Sequence, residues 1–359
     1  MSSPAPTPFS FVSRDPRIGK PPRSDWEAFE HPRLRRFPDP DSLKLGRFLG
    51  RGTQGFVFKA KVGDKGPLTV KCVRTTIQPL QVASQNVPDL VKFPEDERPA
   101  RVAGKYEVIW PLERECINGA LLDLITARLR RAKETGEPVH VLPHPKTRQE
   151  AILNLKAFSD NSPLGAKHPP PPGFSPFPLD PPELKACLGW AELSGDYIRY
   201  AAKRAGSGIG EGNATFFCIV YDFIEGRDLS PQQILETSTF FHTLGFHLEP
   251  FNPDNWWGRG VLIDYGDIVP PVGGCWGFNE RAYPRQLEWA EEKVYRLERM
   301  GLLTGPRSWP VTAFRGRQEA HRSAGGRLGG ERDGLAGVAM ERERRGTDGG
   351  EGETSSEGG

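Results

Sequence analysis

The sequence predicts an α+β fold in two lobes, an antiparallel β-sheet lobe with one long helix and a reduced helical lobe after it. Three stretches predict this. Between Leu43 and Val73, apolar runs alternate with glycine-rich turns. From Pro111 to Leu129, apolar residues recur at helical spacing. From Gly258 to Asp267, a short apolar run delivers a carboxylate to its end.

Composition sets the outer bounds. Of 359 residues 36% are hydrophobic, with 41 Gly and 35 Pro, which implies a folded core diluted by extended segments. The formal net charge of +2 gives no bulk attraction to nucleic acid or membrane, so direct nucleic-acid binding is not expected. Cys72, Cys116, Cys187, Cys218 and Cys275 are scattered and match neither a zinc site nor a disulfide framework. The N-terminus has no apolar stretch of the secretory kind, and the longest apolar run, Phe216 to Tyr221, is too short to span a bilayer. A reduced, intracellular, soluble protein without a membrane partner is expected.

Residues 1–40, rich in proline and carrying the basic patch Arg33 to Arg36, read as a disordered arm, draped at most through Trp26 and Phe29. Order is expected to begin at Leu43. Leu43 to Gly50 and Phe56 to Val62 read as strands around the loop Gly50-Arg51-Gly52-Thr53-Gln54-Gly55. Gly63-Asp64-Lys65-Gly66 is a hairpin turn, and Leu68 to Val73 is a third strand with Lys71 inside it. A dinucleotide-binding fingerprint would need a helix after the glycines; Phe56, Val57 and Phe58 favour a strand instead. What remains is a glycine flap, whose backbone N–H groups can approach phosphate oxygens, and a strand lysine in need of an anion or a partner.

Residues of about 76–107 read as an irregular insertion. Pro111 then opens a helix whose apolar positions are Leu112, Cys116, Ala120, Leu121, Leu124, Ile125 and Leu129. Glu113 and Glu115 both lie in its first turns, where a carboxylate also suits the helix dipole; Glu115 is the preferred partner for Lys71. About 131–182 is a second, Pro-rich insertion, a spacer or a docking segment, and its scattered histidines receive no role. Leu184 to Ala191 and Asp196 to Ala202 are read as a helix and a strand. Ala214 to Tyr221 is a buried strand, leading through a short link to a helix over Ser230 to Gly245. The change at Gly226 marks the lobe boundary: 41–225 form the first lobe and 226–310 the reduced second one. The helix Arg285 to Met300 presents Leu287, Ala290, Val294 and Leu297, and Gly301 stops it. Residues 311–359, low-complexity Arg, Gly and Glu, are expected to be disordered.

The order of these elements resembles the protein kinase family. Gly50, Gly52 and Gly55 through Val57 fit its glycine-rich loop, and Leu68-Thr69-Val70-Lys71 looks like its lysine strand. Glu115 resembles the helix-C glutamate, Val220 to Gly226 the hinge, Pro253-Asp254-Asn255 the end of the catalytic loop, and Asp264-Tyr265-Gly266 the Asp-Phe-Gly motif. The resemblance covers about residues 43–300. It implies a bilobal kinase-like fold binding ATP and Mg²⁺. The glycines would cover the phosphates, and Lys71, held by Glu115, would contact them. Val57, Thr69, Tyr221 and Phe223 would surround the adenine, and Asn255 and Asp264 would hold the metal.

The chain also departs from the family. Counting back from Asn255, the catalytic Asp falls on Pro250, which has no acid–base group; Glu249 is next to it and would serve if the loop shifts by one residue. A general base contributes on the order of 10²–10⁴ in rate, so its loss cripples transfer without abolishing nucleotide binding. No Ala-Pro-Glu follows Asp264, and the helical platform for peptide substrates is largely missing. The insertion before Glu115-Cys116 and the thin second lobe are similar to the fungal kinase-like subunits of the kinetochore Sim4 complex, which implies protein partners and a nuclear location. The reading is a kinase-like or pseudokinase scaffold. The alternative is an active kinase on a protein or small molecule, and a third is an interaction domain with an empty pocket.

Overall fold

Alternation along the strands decides which side chains of the sheet meet which layer. The computed structural model describes residues 9–19, 21–51, 55–74, 111–162, 170–204, 206, 215–248, 252–273, 276, 283–301 and 303. The chain is mixed α+β. Among the described residues its main sheet has seven strands: β1 (Val12–Pro16), β2 (Leu34–Arg36), β3 (Leu43–Arg51), β4 (Gly55–Val62), β5 (Lys65–Arg74), β6 (Cys187–Ser194) and β7 (Thr215–Asp222). They lie in the order β1-β2-β6-β7-β5-β4-β3. The pairs from β6 through to β3 are antiparallel, whereas β1 runs parallel to β2 and β2 parallel to β6.

Among the described residues the helices are α1 (Trp26–Glu30), α2 (Pro111–Thr135), α3 (Arg148–Lys156), α4 (Gly195–Arg204), α5 (Pro231–Thr243) and α6 (Gln286–Arg299). One face of the sheet is apolar: Phe56, Phe58, Leu68, Val70, Cys72, Phe216, Cys218 and Val220 pack with Ile198, Ala201 and Ala202 of α4. Residues of opposite parity, including Thr69, Lys71, Ile219 and Tyr221, therefore point to the other face. Helix α2 provides the long buried surface: Leu112, Cys116, Leu121, Leu124, Ile125 and Leu129 are all at most 4% exposed, as their spacing predicts. Its 25 residues make an element about 37 Å long at a rise of about 1.5 Å per residue.

Several expectations need correction. The arm of residues 1–40 is part of the fold where it is described. Strands β1 and β2 extend the sheet, Phe29 is fully buried, and the Trp190 indole donates to the Ser13 carbonyl at 2.7 Å. Its prolines hid two short strands: β1 pairs with β2, and β2 in turn pairs at Arg36 with Trp190 of β6, more than 150 residues downstream. The helix and strand read over 184–202 are reversed: Cys187–Ser194 is the strand and Gly195–Arg204 the helix. Trp190 stacks on Phe217 of β7 at 5.5 Å, and Ile198, Ala201 and Ala202 share one helical face.

The second insertion holds a helix that the sequence signals. In α3, Thr147 accepts from the Glu150 N–H while the Glu150 side chain accepts from the Thr147 N–H, a Thr-x-x-Glu capping box. In α6, Gln286 rather than Leu287 faces inward, accepting from Leu248 N at 3.1 Å and donating to the Phe246 carbonyl at 3.3 Å. The first insertion and the C-terminal tail lie outside the described residues.

Candidate functional site

Lys71 sits in β5 opposite Val57 of β4 and Ile219 of β7, on the face turned away from the apolar core. That parity aims its side chain at helix α2. Its ammonium donates to Glu115 Oε2 at 2.5 Å and to Asp264 Oδ1 at 3.2 Å. The Lys71 side chain is 18% exposed and that of Glu115 1%, so this pair is largely removed from water. Of the two glutamates near the start of α2, Glu115 is the one that meets Lys71.

Asp264 arrives by a separate route. Trp256–Trp257 and Val261–Leu262 form a short antiparallel ladder, turned at Gly258 (φ +57°) and Gly260 (φ +136°). A Cβ on Gly260 would stand 2.8 Å from the Ile234 N atom of α5, so only glycine fits there. The ladder ends at Ile263, and Asp264 Oδ1 caps the following turn by accepting from Gly266 N at 2.9 Å.

Tyr221 of β7 donates to Glu115 Oε1 at 2.6 Å, and Lys185 completes the cluster. Its ammonium donates to the Ile263 carbonyl and lies 3.5 Å from the Tyr221 ring centroid, while Tyr265 Oη donates to the Lys185 carbonyl at 2.6 Å. Burial disfavours charge on Lys71, but Glu115 and Asp264 outweigh it and hold its pKa above the ordinary lysine value. Burial pushes Lys185 down to about 8, against the pull of the same carboxylates. Burial would raise Asp264, yet Lys71, Lys185 and the Gly266 N–H together hold it below the usual carboxylate range.

Two buried residues here escaped the sequence reading. Asn118, fully buried, donates from Nδ2 to the Tyr265 and Ile268 carbonyls, both at 2.7 Å. It lies three residues after Glu115 on the same helical face, so α2 grips Lys71 with one side chain and the segment after Asp264 with the other. A polar residue inside an otherwise apolar stripe was its signal. Lys185, in a proline-flanked stretch, had none.

The remaining site residues are placed as follows. Val57, Thr69 and Phe223 are half-buried, with Val57 and Thr69 on the Lys71 face. Phe223 has the Lys59 ammonium 4.1 Å from its ring centroid. The Tyr221 phenol is committed to Glu115, and the residue itself is flanked in the sheet by Thr69 of β5 and Cys187 of β6. Gly55 has a structural reason to be glycine: a Cβ would meet the Cys72 carbonyl oxygen at 1.9 Å, whereas one on Gly50 would meet nothing within 4 Å. Gly52, Glu249 and Pro250 lie outside the described residues.

Asn255 belongs to the turn Pro253–Asn255. Its carbonyl accepts from Ile263 N at 2.8 Å, and its side-chain amide donates to Asp267 Oδ2. Asp267, which the sequence reading did not single out, thus adds a carboxylate beside Asn255 and three residues from Asp264. Among the described residues no group of three or more His, Cys, Asp or Glu side chains is arranged to hold a metal. No described helix is long and apolar enough to cross a membrane. A scan against protein-family models finds no match, and a search of curated proteins finds no significant relative.

Proposed function

We propose that this chain is a bilobal kinase-like domain that binds ATP with Mg²⁺ and serves as a scaffold within a protein assembly, in the nucleus and at the kinetochore. The observation that carries this reading is the meeting of Lys71, Glu115 and Asp264, which are 44 and 193 residues from the lysine in sequence, at one ammonium group. Nucleotide phosphates need a fixed cation at that place. Glu115 and Tyr221 orient the Lys71 ammonium, and the Lys71 charge would meet α/β-phosphate oxygens.

The donor set suits Mg²⁺. The side-chain oxygen of Asn255, Asp264 Oδ2 and the Asp267 carboxylate are hard oxygen donors, and this ion takes one or two carboxylates and completes its shell with water and phosphate. Bound there, it would neutralise phosphate charge. Val57 and Thr69, half-buried on the Lys71 face, and half-buried Phe223 would flank the adenine. The scaffold part of the reading rests on sequence: Pro250 stands where a kinase places its proton-accepting Asp, and positioning without that base leaves binding ahead of turnover.

Thermal denaturation of the full chain with ATP, with and without Mg²⁺, tests the binding. A Mg²⁺-dependent rise in Tm that Lys71→Met abolishes is expected, and its absence in the native chain overturns the nucleotide reading. Phosphate release and transfer are then measured for the native chain and Pro250→Asp. Native turnover near an ordinary kinase rate of about 1 s⁻¹ would replace the scaffold by an active kinase.

A further inference from the structure

The C-terminal half of α2 borders a second polar region. A cavity of about 700 Å³ opens between α2, the segment joining β1 to β2, and the stretch before β6. Six cationic side chains line it, Arg17, Arg35, Arg128, Arg130, Arg131 and Lys185, against the two carboxylates Asp123 and Glu134. Lys71 is not part of its wall.

The charges inside are poorly balanced. Asp123 is shared by Arg17 at 3.0 Å and Arg35 at 2.8 Å, and Arg131 is taken by Asp160. Arg128 is 7% exposed and, among the described residues, forms no hydrogen bond or ion pair; its Nη1 is buried without an acceptor. Arg17 Nε is likewise buried without one. Burial, and after it the charge of Arg131, disfavour the Arg128 cation, against a weaker pull from the Glu137 and Asp160 carboxylates. A guanidinium stays protonated under such conditions, so this arrangement carries a buried cation with no direct partner among the described residues.

We propose that the cavity binds a small anion bearing two or more phosphoryl groups, with Arg128 as its central ligand, Arg17 and Arg35 beside it and exposed Arg130 at the mouth. The planar guanidinium fork matches phosphate oxygens in pairs, and buried N–H groups without acceptors are what such oxygens satisfy. The volume lies within the range of about 300–1,000 Å³ usual for small-molecule sites. Pro21, Pro22, Pro181 and Pro182 lie in the wall, where their fixed φ lowers the cost of ordering the backbone around a ligand. Its argument is independent of the nucleotide reading.

The test is calorimetric titration of the full chain with inositol hexakisphosphate and, separately, with inorganic pyrophosphate. Binding of at least one probe is expected, weakened about tenfold or more by Arg128→Met and by Arg130→Glu, and unchanged by Lys71→Met. Without ligand, Arg128→Met is expected to be no less stable than the native chain, because it removes an unpaired buried charge; Arg130→Glu, at an exposed position, keeps the test open should Arg128→Met fail to fold. The proposal is overturned if neither probe binds the native chain, or if binding follows Lys71 instead of Arg128. A Glu-rich peptide that competes as tightly as the inositol phosphate, in an Arg128-dependent way, would also overturn it and make the cavity a docking site for acidic polypeptide.

Discussion

Tyr221 donates its phenolic hydrogen to Glu115 Oε1 at 2.6 Å, on the carboxylate oxygen that Lys71 leaves free. The glutamate is thereby held between a strand tyrosine and a strand lysine, both in the main sheet. Burial, and then the neighbouring carboxylate, push the Tyr221 pKa well up, so the phenol remains a donor across the physiological range.

Tyr221→Phe removes that donor and leaves Glu115 Oε1 buried without it. Hydrogen bonds to charged groups contribute about 1.5–3 kcal/mol, and a loss of that order in urea denaturation is expected. ATP affinity should fall less than in Lys71→Met, since the lysine keeps its own contact. A Tyr221→Phe chain as stable as the native one would show that the tyrosine does not support the glutamate.

Lys71→Met alone strands Glu115, whose side chain is 1% exposed, without its cation. Breaking a buried pair from one side costs about 3–5 kcal/mol. The double variant Lys71→Met/Glu115→Leu removes both charges and should be more stable than the single one. Urea midpoints of the four combinations give the coupling directly, and additive losses would contradict it.

Acid should destabilise the fold through His242 and His247. Both are buried, His242 stacked on the Tyr283 ring at 4.5 Å and His247 with neither ring nitrogen hydrogen-bonded among the described residues. Burial lowers His242 to about 4, opposed by the Tyr283 backbone and reinforced by repulsion from His144, and lowers His247 to about 3, with added repulsion from His242. Each folded pKa lies below the ordinary value of about 6.5, so the folded state resists protonation. Their stability contribution is complete above about pH 6.5 and is lost progressively as pH falls toward 4 and then 3. Urea midpoints at pH 7.5 and pH 5 should differ, and His247→Phe should narrow the difference. An unchanged gap in that variant would remove His247 from the explanation.

Gly189 lets β2 run beside β6. At φ +124°, a Cβ there would meet the Arg35 carbonyl oxygen at 2.6 Å and the Phe37 N atom at 2.7 Å. Gly189→Ala should lower Tm by several degrees or more, and a variant lacking residues 1–36 should lose comparable stability. If both were as stable as the native chain, the N-terminal strands would contribute nothing to the sheet.

Much of this architecture was written locally. Phe56, Phe58 and Ala60 alternate with half-buried neighbours, Gly63 marks a turn, and the spacing of Leu112 to Leu129 is that of a buried helix face. Such patterns depend on residues within a few positions of one another, so periodicity alone recovers them. The N-terminal strands failed this test because β1 and β2 are five and three residues long, and the strand that anchors β2 to the sheet, β6, lies far along the chain. The reversed pair at 184–202 failed for a similar reason. The glycine in Cys187-Leu-Gly-Trp reads as a strand breaker until the close approach of residues 35–37 is known.

For the site, local sequence supplied the candidates: a lysine in a strand, a glutamate at the head of a helix, and an aspartate after a short apolar run. Their convergence came from elsewhere. Strand parity turned Lys71 away from the apolar face, α2 crossed that opposite face, and two positive-φ glycines returned Asp264 to the same point. Lys185, Asn118 and the arginines around the α2 cavity matter only because separate segments bury them together. Burial strips water from a charge and makes its partner, or the lack of one, decisive, and burial is a property of the packed chain rather than of any window of residues.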